Sequence, residues 1–297
     1  MLWINSAEKT DSVPVASIQP GSRQLALVLL VCFIGACSSY QNLIESGGFS
    51  NQVIDGNPYR HRIMINGPGQ ISPSAQHWHV YIEGDGRAVT AQGRPSLDPT
   101  PKTPLLLSMM MQDPMPALYL GRPCYFHTED PNCSPLNWTI ARYSQDTVDS
   151  MVAALEHSLP DAGSITLIGH SGGGTLAVLL AKKLNNVNTV VTLAGNLQVA
   201  KWTGYHHYSP LAASLDPAAE PPLPACINQY HFAGDEDEEI LPTWIEEYAQ
   251  QQPGSHFQRL AGTDHRAGWP LWWTLIKFKP TIKTQPCDKI TSDIKRK

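Results

Sequence analysis

From about residue 57 onwards the chain alternates between two kinds of apolar pattern. Branched and apolar residues that suit a pleated, buried surface recur in "NPYRHRIMIN" (57–66), "HWHVYIEG" (77–84) and "ALYLG" (117–121). They recur again around Ile165, Leu167 and Ile168, in 187–193, in 227–232 and in "HFQRL" (256–260); each stretch predicts a strand. Helical spacing fills the gaps. Val148, Met151, Val152 and Leu155 form a stripe within 144–159, 105–111 is a short apolar helix candidate, and 243–251 is another. Residues 175–184 stay apolar until Lys182 and Lys183, whose charges suit the carbonyl end of a helix. Strands alternating with helices predict an α/β fold with a mostly parallel central sheet and helices on both faces. Residues 41–50 read as a tether. Two long proline-rich connections, 87–104 and 196–224, are expected to roof a site as a small cap.

The sharpest transition is "SITLIGHSGGGTLAVLLAKKL" (164–184), where a strand gives way to a helix within a few residues. Gly169 and Gly173 flank Ser171 in the pattern Gly-x-Ser-x-Gly. A reversal that tight forces its central residue into a strained backbone conformation, and small neighbours let strand and helix pass close together. The serine oxygen is thereby lifted above the sheet edge. The backbone N–H of Gly172 stands at the start of the helix, where it is suited to stabilising an oxyanion.

A serine hydroxyl needs a base to take its proton and an acid to orient that base. "HFAGDEDEEILP" places an acidic cluster directly after the strand 227–232, and "LAGTDHRAGW" places His265 directly after the last strand. The order Ser171, acid, His265 is similar to that of the α/β-hydrolase superfamily, and the segments resemble its bacterial exported serine hydrolases. The resemblance implies the α/β-hydrolase fold. It favours Asp237 as the acid over Asp235, because Gly234, Asp237 and Ile240 match a Gly-x-x-Asp-x-x-Val/Ile pattern; Asp216 in the second roof segment is the fallback. It also implies a second oxyanion donor in "YIEGDGRA" after the third strand, the N–H of Asp85, with Gly86 next. Glu83 stands where many relatives carry histidine.

The chain has 297 residues, a net charge of −5 and 42% hydrophobic residues, enough for one large single-core domain or two small ones. Its lysines and arginines are scattered, and neither an internal repeat nor a heptad pattern is present, so a nucleic-acid partner is not expected. "HWH" at 77–79 puts two histidines on one strand face, but no further ligand spacing accompanies them and no metal is assigned. The run "YHHY" at 205–208 is expected to line the pocket.

Composition changes the picture most at the N-terminus. "LALVLLVCFIGA" (25–36) suits a signal-peptide core and is short for a membrane span. It ends in "IGAC", which resembles the bacterial lipobox and makes Cys37 the expected lipidated residue; Cys32 follows bulky Val31 and is the poorer candidate. The stretch before it is long and carries little positive charge beyond Arg23, so the real start is expected further along the chain. The expected organisation is a signal peptide over 1–36, a tether over 37–50 and a hydrolase domain over 51–297. The expected location is the cell envelope (the outer membrane in a Gram-negative cell), with the membrane as partner through the lipid. Cys124, Cys133, Cys226 and Cys287 would then form two disulfides, with three pairings open; Cys124 with Cys133 is the natural local pair, leaving Cys226 with Cys287.

The expected activity is hydrolysis of an acyl bond in a small-molecule substrate, foremost a carboxylic ester, through Ser171, His265 and Asp237 without a cofactor. An amide or peptide hydrolase is the nearest alternative, and a non-catalytic ligand-binding lipoprotein on the same fold is the other.

Overall fold

Alternate residues of a strand face opposite ways, and the sheet core follows that rule. In the computed structural model, which describes residues 39–66, 77–126 and 130–273, strand β3 (His77–Ile82) turns Val80 and Ile82 into one buried cluster and Tyr81 into another. The first cluster takes helices α3 (Gln145–Ser158), α4 (Gly172–Lys183) and α6 (Pro242–Gln250); the second takes α1 (Ser39–Gly47), α2 (Leu105–Met110) and α7 (Trp269–Trp273). Both faces of the sheet are therefore covered, which is why its central strands can be apolar throughout.

The sheet has eight strands in the order β1-β2-β4-β3-β5-β6-β7-β8. The remaining strands are β1 (Ser50–Asp55), β2 (Arg60–Ile65), β4 (Ala117–Leu120), β5 (Ser164–His170), β6 (Val187–Leu193), β7 (Asn228–Gly234) and β8 (Ser255–Leu260). β1 and β2 pair antiparallel, as do β2 and β4; every other neighbour is parallel. From β3 the chain first steps to β4 on one side and then to β5 on the other. That reversal opens a crevice at the carboxyl ends of the strands, where ligands of such sheets bind. The expected strands and helices are all present, and Ser144 caps α3 by accepting the Thr147 N–H at 3.2 Å.

One expectation is corrected. Residues 39–47, read as tether, form α1, and 50–55 form edge strand β1, so the described fold begins upstream of residue 51, with α1. Tyr40, Leu43 and Ile44 recur at helical spacing on one face; Tyr40 and Ile44 are buried in the cluster that holds α2, and the Tyr40 ring meets Phe126 edge-on at 4.9 Å. Of the roof segments, 87–104 holds only an isolated bridge between Val89 and Pro95, whereas 196–224 contains α5 (Val199–Tyr205) and a 3₁₀ turn at Pro217–Ala219. Cys124 and Cys133 are bonded to each other. Cys226 is disulfide-bonded as well, while its expected partner Cys287, the lipobox Cys37 and the signal run lie outside the described residues. Among the described residues no helix is long and apolar enough to cross a membrane.

Candidate active site

Ser171 sits between β5 and α4 with φ 53° and ψ −123°, a region that non-glycine residues rarely occupy. Its N–H donates to the Leu193 carbonyl at 2.9 Å, and its own carbonyl accepts from Gly174 at 2.9 Å and Asn196 at 3.1 Å. The turn closes because Gly169 and Gly173 carry no side chain. A Cβ on Gly169 would strike the Gly173 carbonyl, and one on Gly173 would strike the Ile82 carbonyl of the neighbouring strand.

Asp237 and His265 follow β7 and β8, so the parallel sheet delivers all three residues to the same edge. His265 Nε2 lies 3.0 Å from Ser171 Oγ, and His265 Nδ1 lies 2.9 Å from Asp237 Oδ2. The other Asp237 oxygen accepts the N–H groups of Glu239 and Ile240, each at 2.9 Å, which fixes the carboxylate from both sides. The Asp237 side chain is 0% exposed and that of His265 15%. The alternative acids are occupied elsewhere. Asp235 is exposed and faces the Thr263 N–H, and Asp216 caps α5 through the N–H groups of Val199 and Ala200.

Asp85 follows β3, next to β5. A Cβ on Gly84 would stand 3.2 Å from Ser171 Cβ, and one on Gly172 would strike the Asp85 carboxylate, so this turn packs directly on the elbow. Among the described residues, neither the Gly172 nor the Asp85 N–H has a hydrogen-bond acceptor. The Asp85 carboxylate is bound by Arg122, by Arg142 Nη1 at 2.8 Å and by the Tyr143 hydroxyl at 2.6 Å, and its carbonyl accepts from Tyr125 Oη at 3.0 Å. Burial alone would raise the Asp85 pKa, but the Arg122 and Arg142 guanidiniums hold it well below the usual carboxylate range. These four partners escaped the sequence analysis, since a buried arginine far along the chain leaves no periodic signal.

Two further groups surround the elbow. His170, beside Ser171, lies 2.7 Å through Nε2 from the His265 carbonyl; burial and the neighbouring His265 lower its pKa to about 3. Glu83 is buried and accepts the Leu106 N–H at 3.1 Å; burial raises its pKa to about 8 despite that bond. His77 and His79 sit at the other end of β3. His77 faces Ser164 and Thr166, and His79 faces Asp113 at 2.5 Å.

A cleft of about 910 Å³ opens beside His265, lined by His206 of the second roof segment, Arg266, Asp264 and the acidic run at 235–239. His206 is tied down by its 2.8 Å bond to the Glu239 carbonyl. A nucleophile, a base within hydrogen-bond reach, an orienting acid and two free N–H groups can together carry acyl transfer.

No protein-family model matches the chain, and no curated protein matches it in sequence. Solved structures do match in shape. Est1E from Butyrivibrio proteoclasticus superposes with a TM-score of 0.52 at 13% identity, covering 76% of this chain and 96% of that one. The same protein with ferulic acid bound gives 0.53 at 12% identity, with the same coverage. A protein from Agrobacterium vitis S4 gives 0.51 at 13%, covering 73% and 92%. The chain has the α/β-hydrolase fold.

Proposed function

We propose that the protein is a serine hydrolase that cleaves an acyl bond, foremost a carboxylic ester, in a small-molecule substrate. Ser171 Oγ attacks the acyl carbonyl while His265 Nε2 takes its proton; Asp237 holds the imidazole tautomer and stabilises the imidazolium. The N–H groups of Gly172 and Asp85 bind the oxyanion. His265 returns the proton to the leaving alcohol, and water then releases the acyl group by the same route. The observation that carries this is the unbroken hydrogen-bonded line from Ser171 Oγ through His265 to Asp237 at a strained strand-to-helix elbow. The shared fold with Est1E, solved with ferulic acid bound, supports an acyl substrate. A panel of acyl esters of graded chain length and aminoacyl amides tests the reading: esters should turn over faster than amides, and Ser171→Ala should abolish both. Undiminished turnover in Ser171→Ala removes the serine from the mechanism.

We propose further that the protein is exported and held at the membrane by a lipid on Cys37. The lipobox-like "IGAC" and the Cys124–Cys133 disulfide, a bond that persists in oxidising compartments, support this. Mass spectrometry of the mature wild type should find the lipid and find none on Cys37→Ser; an unlipidated wild type contradicts it.

A further inference from the structure

An aspartate at the turn that supplies an oxyanion donor is an electrostatic liability. The Asp85 carboxylate packs on Gly172, and an ionised carboxylate there repels the negative charge that develops on the substrate oxygen. The protein surrounds it with two guanidiniums. Arg122, after β4, and Arg142, before α3, bind one carboxylate oxygen each, and Arg122 Nη2 also donates to the Arg142 carbonyl at 3.2 Å. Arg122 lies over the rings of Tyr125 at 5.0 Å and Tyr143 at 5.5 Å, and Arg142 Nε donates to the Thr139 carbonyl at 2.7 Å. The side chains of Arg122 and Arg142 are 2% and 10% exposed. One carboxylate and two guanidiniums leave a net charge of +1 beneath the elbow.

We propose that Arg122 and Arg142 are positioning residues of the oxyanion pocket: through Asp85 they fix the donor turn against Gly172 and set the sign of the local field to positive. The inference rests on the serine-hydrolase reading of Ser171. It explains why Asp85 combines a half-buried, thrice-bound side chain with a backbone N–H that no described residue accepts. The carboxylate is the handle by which the turn is held, and the second arginine offsets its charge.

The test separates charge from structure in the full-length protein, with p-nitrophenyl acetate as substrate and phenylboronic acid as a mimic of the tetrahedral intermediate. Arg142→Gln lowers the local charge from +1 to 0, Arg142→Lys keeps +1, and the double variant Asp85→Asn/Arg142→Gln returns it to +1. Arg142→Gln should lose on the order of 10²-fold in kcat, with KM changed less than about threefold, and should lose boronate affinity in parallel. Arg142→Lys should stay within about tenfold of wild type. The double variant should recover at least about tenfold over Arg142→Gln, a gain that lost packing would not produce. Because the double variant leaves Arg122 without its carboxylate, folding of each variant is checked by circular dichroism; where the double variant or Arg142→Gln does not fold, Arg142→Lys decides, and a folded Arg142→Lys that loses more than about 10²-fold against wild type contradicts the proposal. An active wild type with Arg142→Gln within twofold of it overturns this inference alone. A wild type that neither turns over ester nor takes up a fluorophosphonate overturns the hydrolase reading and this inference with it.

Discussion

Ser171 is held at φ 53° by hydrogen bonds to Leu193 at the end of β6, Asn196 just beyond it and Gly174 in the first turn of α4. Such a conformation costs on the order of 1–3 kcal/mol, which the surrounding strands and helix must over-determine. The result is a hydroxyl aimed at His265 rather than used as a helix cap, since its side chain makes no capping bond to α4. The same scale separates the two aspartates. Asp237 is buried and bonds to His265 Nδ1, whereas Asp235 is exposed and faces Thr263. Asp237→Asn should therefore lose on the order of 10⁴-fold in turnover by leaving the imidazole in the wrong tautomer. Asp235→Asn should stay near wild type, because an exposed charge contributes at most about 1 kcal/mol. Steady-state kinetics on both variants, with folding checked by circular dichroism, decides this; the opposite pattern moves the role to Asp235. The contact of Asp237 with His265 was legible through the resemblance of Gly234, Asp237 and Ile240 to a Gly-x-x-Asp-x-x-Val/Ile pattern. The arginine clamp on Asp85 was not, because it is assembled from residues 37 and 57 positions further along the chain.

Elements were legible where apolar periodicity is long or the turn chemistry is strict. β5, α4 and β6 combine near-continuous apolar runs with glycines, and the sheet buries them on both faces. α1 was missed because three apolar residues in nine, flanked by polar ones, give a weak stripe whose packing partners lie in α2 and the loop after β4. Edge strand β1 is exposed along most of its length, so it carries little apolar pattern. If α1 is part of the core, Ile44→Ala should destabilise the protein by about 2 kcal/mol, at the low end for a buried aliphatic at the periphery. Glu45→Ala, one residue on and exposed, should change it by less than about 0.5 kcal/mol. Urea midpoints of the two variants measure this, and equal midpoints would detach α1 from the core.

At the scale of the whole molecule, buried titratable groups set the pH range of stability. Burial lowers the pKa of His61 and His77 to about 4 and of His170 and His231 to about 3, against 6.5 for a free imidazole. The stability these neutral rings contribute is fully present above pH 6.5 and is lost as pH falls towards their folded values, because the unfolded chain takes up the protons first. Glu83 acts with the opposite sign. Its raised value of about 8 means that its contribution is present below 4.5 and is lost as pH rises through 8. Thermal midpoints should therefore be highest near neutrality and fall steeply towards pH 4. Glu83→Gln should remove the decline between pH 6.5 and 8 and steepen the fall between pH 6.5 and 4.5, where Glu83 opposes the histidines; an unaltered alkaline decline would mean that Glu83 does not ionise in that range.

The parallel strands bring Ser171, Asp237 and His265 to one edge of the sheet, and the account depends on that serine being the nucleophile. Intact-mass and peptide mass spectrometry after treatment with a fluorophosphonate tests it most directly. The account predicts one adduct per chain on wild type, located on Ser171, much slower labelling of His265→Ala, and none on Ser171→Ala. An unlabelled wild type, or an adduct that persists in Ser171→Ala, would contradict it.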